Sequence, residues 1–192
     1  MSVGTSTVTT TPTSGPSELP VMAIGESFVG EGADAAHLNT VLGRRAGPVG
    51  TAWATALATP RAGRTPFIAV VKPGLPAKPI TLFVNKAPIA SSQHGDLTWG
   101  AAQAGVAAGV CDAVAAGVID ASGCHDLVLI AAVWVNPDAS EAELVYQNNR
   151  AATLAALRAG AANLPQLSEV LPASAQPVNP YFCASAPPPA AG

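Results

Sequence analysis

Charge is scarce in this sequence: 11% of its 192 residues are Asp, Glu, Lys or Arg, and the formal net charge is −3. Binding to phosphates needs a basic face, so nucleic acid and other polyanions are excluded as partners. Aromatic residues are scarce too, at 5%. The core must therefore be built mainly from Ala, Val, Leu and Ile. A surface short of charge and rich in alanine is readily buried against a copy of itself, which points to a homo-oligomer. The three cysteines, Cys111, Cys124 and Cys183, are odd in number and lack the paired spacing of a zinc site or a disulfide framework. They read as reduced thiols. The longest clean apolar run, residues 127–135, falls far short of the roughly 18 residues of a membrane span. The N-terminus has neither the basic nor the apolar region of a secretory signal, so the expected compartment is the cytoplasm. No P-loop, no His/Glu metal pair and no G-x-S-x-G occurs, and metal and acyl-transfer chemistry lose their usual anchors.

What is there reads as a single domain. Residues 1–20, made of Thr, Ser, Gly and Pro, are expected to be a disordered leader, 21–183 one domain, and 184–192 a disordered Pro/Ala-rich tail. Strands are expected at 21–29 and 37–42, then a helix opened by Gly47-Pro48 and ended by Pro60. The continuous apolar run 65–71 predicts a strand covered on both faces. Pro73, Pro76 and Pro79 make 72–79 a stiff loop, and 80–85 is again a strand. An alanine-rich helix follows at 99–116; its glycines Gly100, Gly105 and Gly109 fall near helical spacing and permit close approach of a neighbour. Residues 126–135 are the most apolar strand, and 141–159 the last long helix, with Ser140 as its cap and Glu143 completing a capping box. Strands and helices in this order predict an α/β (α+β) fold: a mixed sheet backed by helices in two layers.

The stretch 25–39 organises the rest. Gly30 and Gly32 allow a tight bend that sets His37 at the rim of a sheet, where it can meet a ligand. Gly30-Glu31-Gly32-Ala33-Asp34-Ala35 matches the G-x-G-x-x-A form of a dinucleotide fingerprint, but weakly. Glu31 and Asp34 put carboxylates where a pyrophosphate would lie, and a strand, not a helix, is expected next. His94 and His125 lie in polar contexts and read as solvated. By default Lys86 is a strand-end lysine in water and Gln103 a glutamine on the exposed side of a helix.

A frame of residues gives these side chains another meaning. Gly25-Glu26, Gly30-Glu31-Gly32, Ala36-His37-Leu38, Gly47-Pro48-Val49-Gly50-Thr51-Ala52, Leu75-Pro76-Ala77-Lys78-Pro79, Asn85-Lys86 and Gly100-Ala101-Ala102-Gln103 resemble the formaldehyde-activating enzyme family in its order. The resemblance implies a domain like the second domain of ribosomal protein S5, a homopentamer, and tetrahydromethanopterin as co-substrate in clefts between subunits, with no metal. It implies the condensation of formaldehyde with that pterin, or a related reduced pterin, to the methylene derivative and water. His37 falls on the family's proton donor. The chemistry suits it, because the carbinolamine formed from formaldehyde must lose hydroxide, a poor leaving group until protonated. Lys86, Gln103 and Ile68 fall on pterin-contacting positions. Asn39 and Pro88 fall on two more, where the family has aspartate and threonine. Those two departures leave a second reading open, a paralogue that binds a pterin or senses formaldehyde without catalysis.

Overall fold

The computed structural model describes residues 22–179 and 182–184. The expected leader, and the expected tail apart from Ala184, lie outside the described residues. In chain order the elements are β1 (Met22–Val29), β2 (Ala36–Arg44), α1 (Pro48–Ala58), β3 (Phe67–Ile68), β4 (Val70–Lys72), β5 (Leu75–Pro76), β6 (Ile80–Asn85), α2 (Ser92–Asp96), α3 (Gln103–Ala115), β7 (Leu127–Trp134), α4 (Ala142–Ala161), α5 (Leu167–Ala173), β8 (Val178–Asn179) and β9 (Phe182–Cys183). Among the described residues no helix is long and apolar enough to cross a membrane.

The main sheet runs β1-β2-β7-β6-β3, with β6 and β7 parallel and the other neighbours antiparallel. This is the mixed sheet expected, with helices packed on it. Helices α3 and α4 lie together, α4 against β1 and β2. In β1 the buried residues are Ala23, Gly25 and Ser27, while Met22, Ile24, Glu26 and Phe28 face outward, the period of two of a half-covered strand. The inward face of β2 and β7 supplies Leu38, Leu129, Ala131 and Val133 to the core, where α3 adds Val106 and Val110. Helix α1 packs on β2 and β7 and buries Val49.

Small residues set how closely the layers approach. A Cβ on Gly105 would lie 2.4 Å from the Tyr146 carbonyl oxygen of α4, and one on Gly109 would lie 2.5 Å from that of Arg150. Gly100 has nothing within 4 Å, so two of the three helical glycines serve the close approach that their spacing predicts. At the same contact Arg150 grips Asp112 in two parallel bonds, Nε to Oδ2 at 2.6 Å and Nη2 to Oδ1 at 2.9 Å. Hydrogen bonding from Arg150 holds the Asp112 carboxyl below its usual range and, reciprocally, raises the guanidinium.

Three local expectations are corrected. The run 65–71 is not one strand covered on both faces but splits at Ala69: β3 forms the sheet edge, and β4 turns away to pair with β5. The Ala69 N–H bonds Thr81 while its carbonyl accepts from Ala77, so one residue serves two different partners and the strand cannot continue straight. The helix expected from 99 starts earlier, at α2, because Ser91 caps it by accepting the His94 N–H; a π-helical turn, Leu97–Ala102, then joins α2 to α3. Ser140 does not cap α4. No side chain caps its first turn; instead Asp34, 106 residues away in sequence, ties down the residues that lead into it, its Oδ1 accepting the N–H groups of Ser140 at 2.9 Å and Glu141 at 3.0 Å.

Candidate active site

The glycine bend is built as its sequence requires. Gly30 and Gly32 take φ of 91° and 64°, and the short 3-10 turn Gly32–Asp34 follows. The Asp34 carboxylate is engaged by the N–H groups of Ser140 and Glu141 at the entrance to α4, and Asn148 Nδ2 donates to the Asp34 carbonyl. The apparent dinucleotide fingerprint is thus a hairpin bend whose carboxylate is bonded to the chain just before α4, and a strand, not a helix, follows it.

Strand pairing then lines up one row on the outward sheet face. Phe28 of β1 stands opposite His37 of β2, and His37 stands opposite Trp134 of β7. Lys86 follows the last residue of β6 and joins the row, its N–H bonded to the Val133 carbonyl. The next row holds Glu26 opposite Asn39. From there Glu26 reaches diagonally to His37, with Nε2 to Oε1 at 3.0 Å. Its charge also acts on Lys86, whose amine is lowered by burial and partly restored by the Glu26 carboxylate. Glu26 is the residue that reading the sequence overlooked. Its signal was the hairpin itself, since antiparallel pairing across 30–35 puts residues 26 and 37 on one face.

A cavity of about 660 Å³ opens beside this row, walled by Phe28, Glu31, Trp134, Asn136, Val178 and Asn179. The two aromatic walls are the cross-strand neighbours of His37, which stands between them. A second cavity, of about 550 Å³, lies at the β3 edge between Phe67, Ile68, Val70, Trp99 and Gln103. Gln103 is buried, not on an exposed side, and its Oε1 accepts the Val70 N–H at 2.7 Å. The amide hydrogens are what it has left for a ligand.

The expected site residues therefore fall into two groups. His37, Asn39 and Lys86 share the outward face of the central strands, whereas Ile68 and Gln103 line the edge cavity. Ile68 pairs with Leu82, three strands and two rows of the pleat away from His37. At ordinary strand spacing that is roughly 20 Å, so one chain does not bring the groups together. Pro88, exposed in the loop after β6, packs near Gly63.

The other histidines divide. His125 is exposed, as expected, but His94 is buried, with Nδ1 accepting the Ala90 N–H at 3.0 Å and Nε2 donating to the Val135 carbonyl at 3.1 Å. Its role is to tie the start of α2 to the end of β7. Among the described residues no group of His, Cys, Asp and Glu is placed to hold a metal ion.

Comparison with known proteins identifies the family. The family model described as formaldehyde-activating enzyme matches residues 24–182. The chain is 38% identical over 148 residues to the 5,6,7,8-tetrahydromethanopterin hydro-lyase of Methanosarcina barkeri, spanning 77% of this chain and 83% of that one. It is also 38% identical over 151 residues to the bifunctional enzyme Fae/Hps of Methanococcoides burtonii, and 36% identical over 148 residues to that of Methanosarcina barkeri. In both cases it spans 38% of the relative's length, so the chain is similar to well under half of each bifunctional protein.

Proposed function

Because the chain belongs to the formaldehyde-activating enzyme family, we propose that it is a hydro-lyase condensing formaldehyde with tetrahydromethanopterin to the methylene derivative and water. The observation that carries the reading is the row Phe28, His37, Trp134 and Lys86 beside the cavity of about 660 Å³. An ionisable imidazole between aromatic walls, with an amine in the same row, is a proton donor set against a place for a flat ring.

The residues present fit such a substrate. Phe28 and Trp134 offer flat apolar walls, Lys86 offers an ammonium, and Gln103 offers amide hydrogens to carbonyl and ring-nitrogen acceptors. The reduced pterin supplies the nucleophilic amine. His37 supplies the proton: given to the hydroxyl of the one-carbon adduct, it lets that group leave as water. Lys86, Gln103, Ile68, Asn39 and Pro88 hold and orient the ring.

We infer that the working site is shared between copies of the chain, which would unite the two groups of residues that one chain keeps apart. Met22, Ile24 and Phe28, exposed by 48%, 55% and 42% on the outward face of edge strand β1, are an apolar patch suited to that contact. A homopentamer is the assembly the family resemblance implies. Formaldehyde consumption measured with tetrahydromethanopterin, with tetrahydrofolate and without pterin, the spontaneous rate subtracted, tests the reading. Acceleration with the first pterin is expected, and no acceleration with either pterin would overturn it.

A further inference from the structure

Fold stability does not account for the contact between Glu26 and His37. The two side chains are 60% and 39% exposed, and an ion pair so open to water adds little to stability. Strand register nonetheless builds it in: with Phe28 opposite His37 and Glu26 opposite Asn39, the carboxylate lies one diagonal step from Nε2. A carboxylate only accepts hydrogen bonds. For this contact to be a hydrogen bond when the ring is neutral, Nε2 must carry the hydrogen and Nδ1 must be bare.

Resting on the reaction proposed above, we propose that Glu26 is the positioning residue of the site, fixing His37 as the Nε2–H tautomer and reserving Nδ1 to carry the proton given to the departing hydroxyl. When the ring takes up its second proton, Nδ1 gains it and Nε2 stays engaged. In the reaction the Nδ1–H bond breaks and its proton joins the hydroxyl oxygen. The C–O bond breaks with its electron pair on oxygen, and water departs. His37 is left neutral in the form Glu26 already holds, and a solvent proton at Nδ1 recharges it. Among the described residues, strand register sets Glu26 and Phe28 of β1, Trp134 of β7 and Lys86 after β6 around His37; the Glu26 carboxylate touches the ring and its charge acts on Lys86. Glu26 thus binds no substrate atom itself. It acts through the ring it orients.

The test uses the full chain labelled with ¹⁵N in histidine, without pterin or formaldehyde, at a pH where the rings are neutral. His37→Gln identifies the His37 signals. The parent is expected to show the Nε2–H form alone, and Glu26→Ala to admit the Nδ1–H form. In the same variant kcat should fall about 10²-fold, the loss typical of a misplaced reacting group, while KM stays within about threefold. Glu26→Asp, which keeps the charge on a shorter arm, should recover part of kcat. Thermal melts check that each variant folds, which the exposure of Glu26 favours. Parent-like nitrogen shifts or a parent-like kcat in Glu26→Ala would overturn the proposal. A parent with the locked tautomer but no condensation would instead sink the proposed function, so the two failures are distinguishable.

Discussion

Gly25 of β1 lies directly under the backbone of Ala156 in α4: a Cβ at residue 25 would come 1.8 Å from the Ala156 carbonyl oxygen and 2.6 Å from its carbon. The obstacle is main chain, which no rotamer change relieves. Gly25→Ala is therefore expected to destabilise the fold by about 3 kcal/mol, at the upper end for overpacking. Urea unfolding of the parent and the variant measures it, and a loss under about 1 kcal/mol would show that α4 can shift away.

His37→Ala should lower the pterin-dependent rate by about 10² to 10⁴-fold, the usual contribution of a general acid, and leave assembly and melting temperature unchanged. An unchanged rate would remove His37 from the mechanism.

Asn39 stands directly opposite Glu26, so Asn39→Asp brings two carboxylates face to face. The variant should lose about 0.2–1 kcal/mol of stability from the like-charge cross-strand pair. If residue 39 meets the pterin, the charged acceptor should at the same time tighten binding by about tenfold. Paired with Pro88→Thr, it separates the two functional readings: a large gain in activity would mark the parent as a weakened catalyst. Calorimetric titration with the reduced pterin and a parallel melt read both effects.

His94→Leu leaves the Ala90 N–H and the Val135 carbonyl without their partner. Val135 is buried and Ala90 exposed, so the carbonyl carries the cost of an unpaired buried group, about 1–3 kcal/mol, read from the urea midpoint. Activity per folded molecule should survive.

Much of the architecture was legible. The strands at β1, β2, β6 and β7 and the helices α1 and α4 follow from alternation, apolar runs and Gly-Pro punctuation, which are local signals. What escaped was set by distant partners. His94 sits among polar neighbours that suggest a solvated loop, yet Ser91 starts a helix there and turns the ring inward. The Ser140/Glu143 pattern is a sound local cap, but the Asp34 carboxylate, from another part of the chain, takes the N–H groups of Ser140 and Glu141, and the helix begins one residue later than the pattern suggests. At the candidate site the glycine bend singles out His37, the resemblance adds its role and brings in Lys86, while Glu26 emerges only from the register of the hairpin.

Lys86 supplies a pH dependence. Burial lowers its amine in the folded state, so between that lowered value and the usual 10.5 the unfolded chain binds more protons than the folded one. Stability attributable to this group therefore rises with pH through that window. Lys86→Met removes the group, so its unfolding midpoint should exceed the parent's most below the window and converge toward it as pH rises. A constant difference across the range would show that the amine is not perturbed.

The bonds that Asp34 makes at the entrance to α4 have a dynamic consequence. The bend before His37 has the glycines of a loop, and loops usually open on their own. This one is bonded to the two residues that lead into a 20-residue helix and to Asn148 within it. Backbone amides of the bend and of the α4 start should exchange with deuterium as one cooperative unit, slowly and at matched rates, and Asp34→Ala should release both together.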